Sequence, residues 1–114
     1  MNMEAINFSD WQKLDIRVAK ILKVEEIEGA DKLYKLSVDL GKELGKRTLV
    51  AGIKPYYKKE DLIDKQIIVI VNLEPRKMKG LESQGMLLAA GSKGEDICIL
   101  ISPEKHAKPG LKIS

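Results

Sequence analysis

Arg47-Thr48-Leu49-Val50-Ala51-Gly52-Ile53-Lys54-Pro55-Tyr56-Tyr57-Lys58-Lys59-Glu60-Asp61-Leu62 is the stretch on which the fold turns. Residues 47–51 are apolar and β-branched enough to extend as a strand between Gly45 and Gly52. Pro55 to Leu62 predicts a short helix, with Pro55 in the first turn, where a missing N–H costs nothing. Elsewhere the apolar residues recur mostly at period two, the spacing of half-buried strands.

On the amino-terminal side, Leu14, Ile16, Val18, Leu22 and Val24 fall on one face of a long first strand, opposite Asp15, Arg17, Lys23 and Glu25. Lys20 interrupts that apolar set and marks a bend. Ser9 or Asp10 is the expected cap of one helical turn carrying Trp11. After the turn-like Gly29-Ala30-Asp31, a second strand alternates Tyr34, Leu36, Val38 and Leu40 with Lys35, Ser37 and Asp39. On the carboxyl side, Ile67 to Leu73 is apolar on both faces and reads as a strand near the centre of a barrel, and Met86 to Ala90 as a fifth strand. Ile97 to Ile101 forms one more, stopped by Pro103, and Leu111 to Ser114 a last short segment.

Three strands, a short helix and two further strands predict an all-β, five-stranded Greek-key barrel of the oligonucleotide-binding (OB) type. An SH3-like barrel or a small sandwich fits the strand count but does not call for a helix between strands three and four. The expected unit is a single domain over residues 1–114, with the barrel at about 8–91 and a carboxy-terminal β extension at 92–114.

The 114 residues are 44% hydrophobic and 32% charged, which fits a globular domain and not a disordered chain. No apolar run approaches the ~18 residues of a membrane helix. The stretch Met1 to Asp10 lacks the basic start of a secretion signal, so the cytoplasm is the expected compartment. Cys98 alone forms no internal disulfide, and with His106 it is too little for a zinc site, so neither metal nor cofactor is expected. No nucleophile elbow or paired histidines stand out, and Gly41-Lys42-Glu43-Leu44-Gly45-Lys46 echoes a phosphate loop without its glycine spacing or a following helix. The expectation is a non-catalytic chain.

Net charge is only +3, but its distribution is uneven. Residues 1–41 sum to −2, 42–65 to +3 and 66–114 to +2. Between strands four and five, Arg76, Lys77 and Lys79 surround Met78, next to Ser83, Gln84 and Met86. In an OB barrel this loop customarily holds nucleic acid: cations neutralise phosphates while hydroxyl and amide groups bond sugars or bases. An exposed basic turn with Met86 in the core is the plainer alternative. Tyr34 shares the apolar face of its strand, and Tyr56 and Tyr57 can help only from an edge. With so few stacking platforms, structured RNA is favoured over extended single strands.

Leu14-Asp15-Ile16-Arg17-Val18, Ala30-Asp31-Lys32-Leu33-Tyr34, Arg47 to Gly52, and Asn72-Leu73 through Met86 resemble, in order and spacing, the tRNA-binding domain family. That family occurs fused to methionyl-tRNA synthetases, as a stand-alone subunit of that enzyme, and in synthetase cofactors. The match runs from about Phe8 to Ile113, with Arg76 to Met86 its most specific part. The free-standing form and its Ala107-Lys108-Pro109-Gly110 tail are similar to the stand-alone β subunit, whose partner is the catalytic synthetase subunit. The resemblance implies tRNA binding largely by shape, through Lys32, Lys54, Lys77, Lys79, Ser83 and Met86. It also implies a homodimer formed by the terminal extensions. Ile97, Ile99 and Ile101 lie on one face of the extra strand, an apolar edge that a second copy would bury. Two departures stand out: Ala19 replaces a glycine common among relatives, and the first turn carries Glu25, Glu26, Glu28 and Asp31 against Lys32. A runner-up is a CsaA-type export chaperone holding unfolded peptides against Met78 and Met86. A single-stranded DNA binder is disfavoured by the missing aromatic face.

Overall fold

The computed structural model describes residues 3–92 and 94–114. Met1 and Asn2 of the amino-terminal stretch, and Lys93 of the expected extension, lie outside the described residues. A short helix α1 (Phe8–Gln12) leads into β1 (Ile16–Ile27) and β2 (Ala30–Asp39). One turn, α2 (Gly41–Leu44), precedes β3 (Lys46–Ala51), and another, α3 (Lys59–Leu62), precedes β4 (Gln66–Ile70). A small hairpin follows, β5 (Arg76–Met78) and β6 (Leu81–Ser83), then β7 (Met86–Leu87), β8 (Ala89–Gly91), β9 (Cys98–Leu100) and β10 (Lys112–Ile113).

The main sheet runs β3-β2-β1-β4-β7, antiparallel throughout, with β10 also on β1. β1 pairs with β4 along Ile16–Lys20 and with β2 from Lys20 to Ile27, so one strand serves both sides of the curl. The irregularity between Ile21 and Lys23 supplies the bend expected near Lys20, and Ile21 there exchanges backbone bonds with Asp64 and Lys65. Ile21, Leu36, Leu40, Leu49, Leu62, Ile67 and Val69 fill the closed interior. The result is the expected all-β architecture, here an open barrel.

Several local expectations are corrected. The apolar face of the first strand is not a single face. Ala19, Ile21 and Val24 point into the barrel, whereas Ile16 and Val18 point outward into a second cluster with Ile68, covered by Ala107 and Ile113. Lys20 shares that outer side and lies 3.6 Å from Asp64. The helix expected from Pro55 is confined to Lys59–Leu62. Before it, the N–H groups of Tyr56 and Tyr57 both bond the Ile53 carbonyl, and the Tyr34 hydroxyl donates to the Tyr57 carbonyl at 2.9 Å. A tertiary bond thus takes the acceptor a helix would need. Asn7, not Ser9 or Asp10, caps α1, accepting from the Asp10 N–H at 2.9 Å. The fifth strand is divided: Met86–Leu87 pairs with β4, and Ala89–Gly91 leaves to pair with Cys98–Leu100.

The tail is seated by backbone contact. Val18 N–H donates to Leu111 O at 3.0 Å and Gly110 N–H to Val18 O at 2.8 Å. Gly41 and Gly110, both at positive φ, lie face to face, and a Cβ on Gly110 would fall 2.5 Å from Leu40 O. Arg17 clamps the junction, bonding Asp15 at 2.7 Å and Gly110 O at 3.2 Å, with Glu43 at 3.5 Å. Gly110→Ala is expected to cost about 2 kcal/mol or more, from left-handed strain plus overpacking, read as a lower urea midpoint. The hydrogen bond from Arg17 holds the Asp15 carboxyl below the ordinary carboxylate range. That contribution is complete above the ordinary aspartate value and is lost as pH falls through the depressed one. Asp15→Asn is therefore expected to destabilise near neutral pH and to converge with the parent chain in strong acid, compared by urea titration across pH.

Candidate nucleic-acid interface

The segment expected to be a loop between strands four and five is a β-hairpin over much of its length. Arg76 pairs with Ser83, Lys77 with Glu82 and Met78 with Leu81. Lys79 and Gly80 both have positive φ, 52° and 80°, the geometry of the two-residue turn that matches strand twist. Lys79 therefore stands at the exposed tip.

Alternation divides the hairpin into two faces. Arg76, Met78, Leu81 and Ser83 share one, and Lys77 and Glu82 share the other, exposed one. The inner face leans on the free edge of β3. Ser83 is buried, and its hydroxyl accepts from the Val50 N–H at 3.0 Å and donates to Gly85 O at 2.9 Å. Gln84 completes the edge, its backbone N–H donating to Thr48 O at 2.8 Å and its Oε1 accepting from the Thr48 N–H at 2.9 Å. Arg47 adds bonds to Val71 O at 2.6 Å and Gln84 O at 3.3 Å.

Between β3, the hairpin and the β7–β9 segment lies a cleft of about 260 Å³. Its wall is mostly apolar, with Val50, Leu73, Met78, Met86, Leu87 and Cys98, and Arg76 and Glu74 bring charge to it. Met86 is 41% exposed, so it lines the cleft and is not in the core. Lys32 and Lys54 stand together at the far end of β3, where the Lys54 N–H bonds Lys32 O at 3.3 Å.

The predicted residues therefore separate. Arg76 and Met86 line the cleft, while Lys77 and Lys79 are exposed on the hairpin's outer face and tip. Ser83 and the Gln84 carbonyl are committed to the backbone of β3. Lys54 is partly neutralised: its ammonium lies 3.1 Å from Glu26, which also receives Lys59 at 3.7 Å. The hydrogen bond from Lys54, aided by the Lys59 charge, holds the Glu26 carboxyl below its ordinary range. Lys32 is exposed and has no ion pair among the described residues.

Sequence reasoning missed Arg47, which roots the hairpin, Glu82 opposite Lys77, and Cys98 in the cleft wall. Alternation through Arg76-Lys77-Met78 and Leu81-Glu82-Ser83 around Lys-Gly was the available signal. Ile97, Ile99 and Ile101 are 42%, 57% and 40% exposed, while Leu100 on the opposite face is buried. Tyr34 points inward as expected. Among the described residues no helix is long and apolar enough to cross a membrane.

Ser83→Ala leaves the Val50 N–H without its acceptor, an expected cost of about 1–3 kcal/mol, measurable by chemical denaturation. Protection of the Val50 amide against hydrogen exchange should fall with it.

Residues 16–112 match the family described as "Putative tRNA binding domain". Over 111 residues the chain is 54% identical to methionine–tRNA ligase of Pyrococcus horikoshii, covering 97% of this chain but 15% of that protein. It is 46% identical to the corresponding ligase of Caldanaerobacter subterraneus subsp. tengcongensis, over 98% of the chain and 17% of the ligase. Among solved structures, a MetRS-related protein from Pyrococcus horikoshii superposes with a TM-score of 0.89 at 35% identity, covering 98% of this chain and all of that one. The CsaA chaperone protein of Picrophilus torridus gives 0.87 at 35% identity, over 96% of this chain and all of that one.

Proposed function

The chain belongs to the tRNA-binding domain family, and from that premise we propose that it is a non-catalytic tRNA-binding protein serving as the accessory (beta) subunit of a methionyl-tRNA synthetase. The observation that carries the reading is the docked hairpin, anchored to β3 through the Ser83 hydroxyl and the Gln84 side-chain oxygen, with Arg76 at the cleft and Lys77 and Lys79 exposed on its outer face and tip. Rigid placement of mobile cations suits phosphate contacts, which position a nucleic acid without reading its sequence. In this reading the exposed Gln84 amide NH₂ and Met86 side chain meet an unpaired base, and Lys32 and Lys54 extend the basic rim. ATP and methionine chemistry belongs to the catalytic partner, whose effective tRNA concentration this subunit raises.

In this reading residues 1–114 form one domain, with the barrel at about 8–91 and the extension at 92–114, and the protein works in the cytoplasm. It acts as a homodimer. The exposed row Ile97, Ile99 and Ile101 and the helix α1, which buries none of its residues, offer the apolar surface. A symmetric pair doubles the basic surface offered to one folded RNA.

One observation favours a second reading, peptide holding of the CsaA type: the cleft wall is mostly apolar, with two adaptable methionines. Side-by-side titration with tRNA and an unfolded peptide separates the two, tighter binding of tRNA being expected.

Phosphate-led binding requires log K for tRNA to fall linearly with log salt, at about 0.9 per neutralised phosphate in duplex regions. Lys77→Ala with Lys79→Ala is expected to lower that slope by about 1–2 and to weaken different tRNAs alike. A salt-independent affinity would overturn the mechanism.

A further inference from the structure

The segment Gly41 to Lys46 has no phosphate loop, yet the fold gives it a defined shape. α2 turns the chain so that the Leu40 N–H bonds Gly45 O at 2.9 Å and the Gly45 N–H bonds Gly41 O at 2.7 Å. The carboxy-terminal tail then crosses it at the Gly41–Gly110 junction. Lys42 and Lys46 of this segment and Lys108 of the tail, distant from them in sequence, thereby line one shallow depression with Asp39, Gly41, Gly45 and Pro109.

All three are exposed, and none is ion-paired among the described residues. The neighbouring acids pair with none of the three. Asp39 accepts the Gly41 N–H at 2.9 Å, and Glu43 faces Arg17. They offset part of the local charge while the lysine heads remain open. No aromatic ring lines the depression, so it offers point charges without stacking.

We propose that this depression is a second phosphate-contacting surface for RNA, a reading that rests on the tRNA-binding function above. Its position on β3 supports the assignment. Lys46 opens that strand, and Ala51 ends it beside the cleft and the Lys32–Lys54 pair. A strand of this length spans roughly 17–20 Å, more than the Debye length of about 8 Å at physiological salt. The two basic groups cannot share one phosphate, so each adds its own share of counterion release. Arg47, at the hairpin root, stands between them along the strand.

The test is tRNA titration of the full chain across salt concentrations, comparing the parent, Lys42→Ala/Lys46→Ala/Lys108→Ala, and a control with the same net charge, Lys13→Ala/Lys23→Ala/Lys105→Ala. The triple variant is expected to lose roughly a hundredfold or more in affinity at low salt and about 2–3 in slope, additively with the Lys77/Lys79 pair, at an unchanged urea midpoint. The control should retain most of both. If the parent binds tRNA and the triple variant matches it, the second surface fails while the function stands, even if an acidic peptide proves to bind there. An equal loss in the control likewise overturns the site, and a parent that binds no tRNA overturns the function itself.

Discussion

The structure depends on how the free edge of β3 is closed. β3 is the terminal strand of the main sheet, and its Thr48 and Val50 amides point away from β2, toward a side where no regular strand lies. Unpaired strand edges are costly when buried and adhesive when exposed. Here the Gln84 and Ser83 side-chain oxygens accept from the Thr48 and Val50 N–H groups, and the Gln84 N–H donates to the Thr48 carbonyl. This imitation of a strand pairing closes the barrel without filling the gap between β3 and β7. The cleft is what remains of that gap, so barrel closure and cleft formation have the same cause.

Charge follows a similar economy. A count of basic residues overstates what faces a ligand, because several cations are engaged within the fold. Arg17 is spent on Asp15 and the tail, Lys54 and Lys59 on Glu26, and Arg47 on two carbonyls. The exposed pairs on Glu26 contribute little stability, but all of these contacts remove positive potential where they form. The cations that remain unpaired among the described residues include Lys32, Lys42, Lys46, Lys77, Lys79 and Lys108.

Where one physical effect dominated, the fold was legible in the sequence. Tyr34, Leu36, Val38 and Leu40 face a single core, so alternation located β2 and the inward Tyr34. Alternation failed on β1 because its outer face is also covered, by a tail some ninety residues away in sequence, and a strand apolar on both sides loses its period. The helix after Pro55 was shortened by a hydroxyl from β2, a partner no local pattern contains. The hairpin escaped notice because its strands are very short and the first of its two positive-φ turn positions holds a lysine, not asparagine or glycine. Within the candidate site the residue types were readable but their orientation was not. Ser83 and Gln84 have the chemistry of RNA contacts, yet the structure uses the Ser83 hydroxyl and the Gln84 carbonyl to hold the platform.

The pairing of Ile16 with Ile113 has a kinetic consequence. It closes a loop of nearly the whole chain, and although closure entropy rises only ~0.6 kcal/mol per doubling of length, such contacts form late in folding and are among the first to open. The tail is held by a few backbone bonds near Val18, by the paired bonds between Gln66 and Ala107, and by a small cluster separate from the barrel interior. Its release would bare Ile16, Val18 and Ile68 while leaving the interior intact. The tail is thus a cover over one defined apolar strip, and how firmly it is held decides whether that strip is open to another molecule.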